Sequence, residues 1–148
     1  MGPINFTSIL VLCTGNICRS VIAERLLCQF LPPTISVTSA GINAHYGHPA
    51  ENMSAAVAFE HGVSLSGHIA RNVTLEMLRD SGLILAMEPK HIAFVTSMAP
   101  EARGKTLLFS YWSSKQAIPD PYRKSRDVYE YVFHQLELDA QRWAQHLV

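Results

Sequence analysis

Short runs of apolar residues alternate along the chain with stretches in which apolar positions recur every three or four residues. Residues 8–13, 35–39, 83–87 and 105–109 have the length and Val/Ile/Leu content of buried strands. Between them, residues 21–30 place Ile22, Leu26 and Phe30 on one helical face, with Ala23 and Leu27 beside them. Residues 51–61 are Ala-rich and stop at Gly62, a residue suited to ending a helix. Pro89 can open a helix through Met98, because proline is tolerated in the first turn. Residues 125–147 carry the longest stripe, Val128, Tyr131, Val132, Leu136, Ala140, Trp143 and Leu147. Alternating strands and helices predict one α/β domain over residues 1–148, with a parallel sheet covered on both faces. In such sheets ligands bind beyond the carboxyl ends of the strands, so chemistry is expected in the loops after Cys13, Ser39, Met87 and Phe109.

Composition narrows the class. Apolar residues make up 48% and charged residues 16% of the 148, enough for a core and too apolar for a disordered chain. Twelve basic and twelve acidic residues cancel, so no global basic field favours nucleic acid as a partner. Three cysteines are too few, and odd in number, for a disulfide framework. The cytoplasm is the expected compartment. The apolar run Ile9 to Cys13 is too short for a signal peptide or a membrane span. Met1 and Gly2 begin a myristoylation pattern that fails at Phe6, where Ser or Thr is needed. A soluble monomer, not inserted in a membrane, is expected.

The first strand runs directly into Cys13-Thr14-Gly15-Asn16-Ile17-Cys18-Arg19-Ser20, and a helix follows at once. A Walker loop needs a Gly-Lys-Ser/Thr ending, and a dinucleotide fingerprint needs more than one glycine. The segment suits a phosphate dianion instead. A loop curling between strand and helix turns successive backbone N–H groups inward, and the helix N-terminus adds partial positive charge. Gly15 and Asn16 are residue types that tolerate φ > 0, as such curling requires. Arg19 can grip two phosphate oxygens with its planar fork. A helix N-terminus and a nearby cation also favour the thiolate form of a cysteine, the form that attacks phosphorus. Ser20 can donate a hydrogen bond to that thiolate and stabilise it as a leaving group.

The segment from Leu12 to Ser20 resembles the signature of the low-molecular-weight protein tyrosine phosphatases. The similarity continues through Ser39-Ala40-Gly41, Gly67-His68-Ile69-Ala70-Arg71 and Met87-Glu88 to Asp120-Pro121-Tyr122-Arg123, nearly the whole chain. Met98-Ala99-Pro100-Glu101 to Lys105, the run from Asp120 to Ser125 and Gln141-Arg142-Trp143-Ala144 look like the bacterial exopolysaccharide-associated branch. The resemblance implies a flavodoxin-like three-layer fold with a four-stranded parallel sheet. It implies Cys13 as nucleophile, Arg19 as phosphate clamp and Asp120 as general acid. It also implies a network of Asn16, Ser39 and His68 holding the loop in shape, and a reversible disulfide between Cys13 and Cys18. Thr14, Gly15, Asn16, Ile17, Cys18 and Ser20 would surround the substrate phosphate. The chain departs from the family where Pro usually follows the serine, since Val21 stands there. Val21 removes a pre-set helical turn but no catalytic group.

Asp120 lies between Pro119 and Pro121, which restrict the backbone around its carboxyl. A tyrosine leaving group is a phenolate whose conjugate acid has a pKa of about 10, so an acid that protonates it lowers the barrier to P–O cleavage. The same carboxylate can then activate water against the cysteinyl-phosphate. By resemblance Tyr122 walls the pocket and stacks on the substrate ring. Arg123, Lys124 and Arg126 are placed to steer a phosphorylated substrate or simply to form a solvated basic face. His45 and Tyr46 are candidates for the pocket rim, and spacing does not decide which points inward. His45 and His48 have no carboxylate or thiol nearby to complete a metal set, so neither a metal nor a cofactor is expected. Cys28, Met77, Met87 and Met98 read as core.

Three rivals bear on function. Thiol-dependent arsenate reductases need cysteines downstream, and none follows Cys28. Protein-arginine phosphatases carry Thr where this chain has Ile17, whose apolar bulk suits an aryl ring. An inactive phosphopeptide-binding module would not require a thiol nucleophile plus an acid. The expected activity is therefore phosphotyrosine hydrolysis through a cysteinyl-phosphate. The branch resemblance implies a phosphotyrosine protein as partner, the Tyr-rich tail of a membrane-bound tyrosine autokinase governing capsule or exopolysaccharide export.

Overall fold

The computed structural model describes residues 7–147. The chain start at Met1, Gly2 and Phe6 lies outside them. Four strands, β1 (Ser8–Cys13), β2 (Ser36–Gly41), β3 (Leu83–Ala86) and β4 (Thr106–Leu108), form one sheet in the order β2-β1-β3-β4. Every pairing is parallel. The helices are α1 (Arg19–Phe30), α2 (Asn52–Glu60), α3 (Leu75–Asp80), α4 (Pro89–Met98) and α5 (Arg126–Leu147), with a 3₁₀ turn at Pro100–Lys105. This is the flavodoxin-like arrangement in a four-stranded form.

Strand alternation sorts β1 between two cores. Ile9 and Val11 join the cluster that includes Ile22, Leu26 and Leu27 of α1 and Val132, Phe133 and Leu136 of α5. Leu10 and Leu12 join Leu78 of α3 and Val95 of α4 on the other face. Because β1 pairs with β2 on one side and β3 on the other, chain connections leave it in opposite directions. The crevice this opens lies at the carboxyl end of β1, where Cys13 pairs with Gly41.

Several boundaries differ from those the sequence pattern predicts. β2 reaches Gly41, and α1 starts at Arg19. Glu51 is not the first residue of α2 but its cap, its carboxylate accepting from the N–H groups of Met53 and Ser54. α3 and the 3₁₀ turn are each six residues long, too short to show a periodic stripe. On α5 the buried tyrosine is Tyr129, in phase with Val132, Phe133 and Leu136, whereas Tyr131 is 56% exposed. Cys28 falls just past the buried pair Leu26 and Leu27 and is exposed rather than core. Met87 is buried and Met77 packs at the edge of the second core, but Met98 at the end of α4 is exposed.

Candidate active site

The loop from Cys13 to Ser20 is shaped by where its carbonyls point. The C=O groups of Cys13, Thr14 and Gly15 accept from the N–H groups of Ile42, Asn43 and His45, at 3.0 Å each. Ile17 O accepts from Glu51 N and Cys18 O from Ile22 N. Asn16 O accepts from His68 Nε2 at 2.6 Å. In a trans peptide the N–H lies opposite the C=O. Five carbonyls, Cys13 to Ile17, tied to the surrounding chain therefore turn the following N–H groups toward the inside of the loop, Cys18 O opens the bond ladder of α1, and Asn16 N donates to Cys13 Sγ at 3.3 Å. The result is an anion nest above the start of α1.

Asn16 holds the curl. Its φ of 58° is in the left-handed region, and its side chain is fully buried. Nδ2 donates to Ser20 Oγ at 2.8 Å and to Ser39 Oγ at 3.0 Å, while Oδ1 accepts from Arg71 N. Ser39 in turn donates to Glu24 Oε1 at 2.7 Å. Ser20 Oγ, already accepting from Asn16, is 2.9 Å from Cys13 Sγ and has its own proton to give to the sulfur. Gly15 does not take the positive φ its residue type allows; a side chain there would run into the His45 ring at 2.8 Å. Gly41 presses closer still, and a β-carbon on it would collide with the backbone oxygen of Thr14.

Arg19 enters from below, its side chain 2% exposed. Nη1 donates to Glu88 Oε2 at 2.6 Å and to Ile118 O at 2.8 Å, and Nη2 lies 3.7 Å from Asp120 Oδ2. Burial opposes the charge on Glu88, but the hydrogen bond and charge of Arg19 win and hold its carboxyl below the usual range. His91 is fully buried beside this pair. Its Nδ1 accepts from Glu88 N at 3.1 Å, so Nε2 carries the proton and donates to Thr14 Oγ1 at 3.0 Å. Burial, reinforced by the charge of Arg19, pushes this imidazole down to about 4, and it is neutral at pH 7.

One cleft gathers Cys13, Thr14, Gly15, Ile17, Cys18, Arg19, Asn43, His45, Asp120 and Tyr122. His45 is the residue of its pair that lines it, edge-on to the Tyr122 ring at 5.5 Å; Tyr46 points away and is 76% exposed. Asp120 stands at the mouth, half exposed, its Oδ1 accepting from Tyr122 N at 3.1 Å. Arg123 lies over the Tyr122 ring at 5.2 Å. Asn16, Ser20, Ser39 and His68 are not in the wall but beneath it, as supports. Cys13 and Cys18 are both free thiols. Burial pushes the Cys18 thiol up to about 12, the charge of Glu51 acting in the same direction, so Cys18 stays protonated. Glu24, Gly41, Asn43, Arg71, Glu88 and His91 complete the site and carry no local motif that marks their roles.

A cysteine in a strand-to-helix anion nest, with a buried arginine below and a carboxyl at the mouth, defines a thiol-dependent phosphatase site. Residues 8–148 match the model of the low molecular weight phosphotyrosine protein phosphatases, and the chain belongs to that family. It is an enzyme of the protein-tyrosine-phosphatase class. The chain is 55% identical over 147 residues to the low molecular weight protein-tyrosine-phosphatase Etp of Escherichia coli strain K12, covering 99% of each. Among solved structures, the tyrosine phosphatase AmsI of Erwinia amylovora superposes with a TM-score of 0.94 at 49% identity, covering 99% of this chain and 96% of that one. The tyrosine phosphatase Wzb of Escherichia coli K30, in complex with sulphate, gives 0.94 at 44% identity, covering 97% and 100%.

Proposed function

We propose that Cys13, Arg19 and Asp120 carry out phosphotyrosine hydrolysis in two displacements. The phosphate sits in the nest, its oxygens on the inward N–H groups and the Arg19 guanidinium. Cys13 Sγ attacks phosphorus in line with the tyrosyl oxygen, which leaves with the proton of Asp120. The Asp120 carboxylate then takes a proton from water as that water attacks the cysteinyl-phosphate, and the Ser20 hydroxyl stabilises the departing thiolate. Ile17, His45 and Tyr122 flank the aryl ring. The observation that carries this reading is the outward pairing of five consecutive loop carbonyls, Cys13 to Ile17, which supports an oxyanion site centred on the sulfur.

Physiologically, the reading is a cytoplasmic phosphatase of the exopolysaccharide-associated branch, supported by the matches to Etp, AmsI and Wzb along nearly the full chain. Its substrate would be the Tyr-rich tail of a membrane-bound tyrosine autokinase. No helix among the described residues is long and apolar enough to cross a membrane. Deleting the kinase and the phosphatase singly and together tests this. Phosphatase-dependent polysaccharide output should disappear in the kinase-deleted strain. Output that still responds to the phosphatase without the kinase would contradict the assignment.

A further inference from the structure

Away from the cleft, one group of side chains has the composition and spacing of a metal site. Glu130 and His134 stand one turn apart on α5 and project from the same face. His61, which caps the carboxyl end of α2, faces them across the α2–α5 contact. Its Nε2 lies 2.9 Å from Glu130 Oε2, and His134 Nε2 lies 3.9 Å from the same oxygen. All three donor atoms fall within 4.8 Å of one another. Tetrahedral coordination with arms of about 2.0–2.2 Å sets ligand atoms roughly 3.3–3.6 Å apart, so small side-chain rotations close the set.

We propose that His61, Glu130 and His134 bind Zn²⁺, or a first-row cation of the same ligand preference, with water in the remaining position. Neighbouring side chains flank each ligand. The His61 ring is stacked on the buried Phe133 at 4.6 Å and 16°, which fixes its plane. The other nitrogen of His134, Nδ1, is 3.9 Å from Glu137 Oε1. The second oxygen of Glu130 is 3.4 Å from Arg126, and Arg126 is itself paired with Glu60. The carboxylates of Glu60, Glu130 and Glu137 outnumber the Arg126 guanidinium, which favours a divalent cation. The bound ion clamps α2 to α5. α2 begins beside Glu51, whose N–H holds Ile17 O, and α5 begins where the Asp120 loop ends. The clamp thus stiffens two supports of the cleft without touching the reacting atoms.

The test is a calorimetric titration of Zn²⁺ into the full chain carrying Cys13→Ser, which removes the cleft sulfur as a competing metal ligand. Co²⁺ spectra of the same protein report whether nitrogen and oxygen or sulfur ligands hold the ion. His61→Asn and His134→Asn are added singly in that background, with folding confirmed by melting without metal. The expected result is one equivalent bound with no thiolate charge-transfer band and a higher melting temperature. Each histidine variant should then lose at least about tenfold in affinity and the thermal shift. No saturable binding, binding unchanged in both histidine variants, or a sulfur-ligated Co²⁺ spectrum would overturn the proposal.

Discussion

Asn16 concentrates the loop's support in one residue, because its side-chain amide donates to Ser20 and Ser39, its side-chain oxygen accepts from Arg71 N and its backbone carbonyl accepts from His68. Ser20 has only one remaining proton, and Cys13 Sγ is the atom within its reach. Hydrogen bonds to charged groups contribute about 1.5–3 kcal/mol, so Ser20→Ala should lower kcat roughly 10- to 150-fold with little change in KM. Steady-state kinetics on a phosphotyrosine peptide check this, and an equal rise in KM would instead indicate a damaged binding loop. His91 gives a second prediction. Folded, its imidazole titrates near 4; unfolded, at about 6.5. Between those values the unfolded chain binds a proton that the folded chain does not, so stability rises with pH and is lost on acidification. Above the upper value the ring is neutral in both states and adds no slope. His91→Gln should therefore lose less stability than the wild type between pH 7.5 and 4.5. Urea midpoints at the two pH values measure it, and parallel losses would contradict it.

At the scale of elements, the last residue of β2 and the cap of α2 set the loop's position. Gly41 is packed so closely on Thr14 O that Gly41→Ala must displace the loop or the strand end. Overpacking of this kind costs about 1–3 kcal/mol, and kcat should fall with the melting temperature. Glu51→Ala removes the acceptor for two N–H groups of α2 and should cost about 1 kcal/mol in urea denaturation. Neither role was legible in the sequence. The phosphate loop was, because Cys13, Arg19 and Ser20 lie in one local run whose spacing already encodes strand, curl and helix. Glu24, Arg71, Glu88 and His91 act through partners 15 to 77 positions away, and only folding creates those pairs. Tyr131 fits the predicted stripe of α5 yet lies on its outer side, because a helix stripe is broad enough to admit a neighbour. Burial of Tyr129 and Phe133 shows the true phase. His61 and His134 likewise meet only in the fold, whereas His45 and His48 already lie close in sequence.

For the molecule as a whole, the alternation of apolar runs and helical stripes was sufficient to read a parallel sheet with both faces covered. The crevice at the end of β1 followed from that topology, but its floor and walls come from segments scattered over most of the chain. Ile17 from the loop, His45 from the segment after β2 and Tyr122 before α5 meet only at the cleft, and the proposed preference for an aryl phosphate belongs to this scale. Ile17→Thr should weaken turnover of phosphotyrosine relative to phosphoarginine by about tenfold, the scale of a small apolar contact. Paired kcat/KM values measure that ratio, and an unchanged ratio would remove Ile17 from the specificity argument. The most direct test of the central claim is phosphate release from a phosphotyrosine peptide, with EDTA present, by wild type, Cys13→Ser and Asp120→Asn, alongside a phosphoarginine peptide. Release from phosphotyrosine that vanishes in Cys13→Ser and falls sharply in Asp120→Asn is the predicted result. Turnover confined to phosphoarginine, or tight peptide binding with no turnover of either, would contradict it.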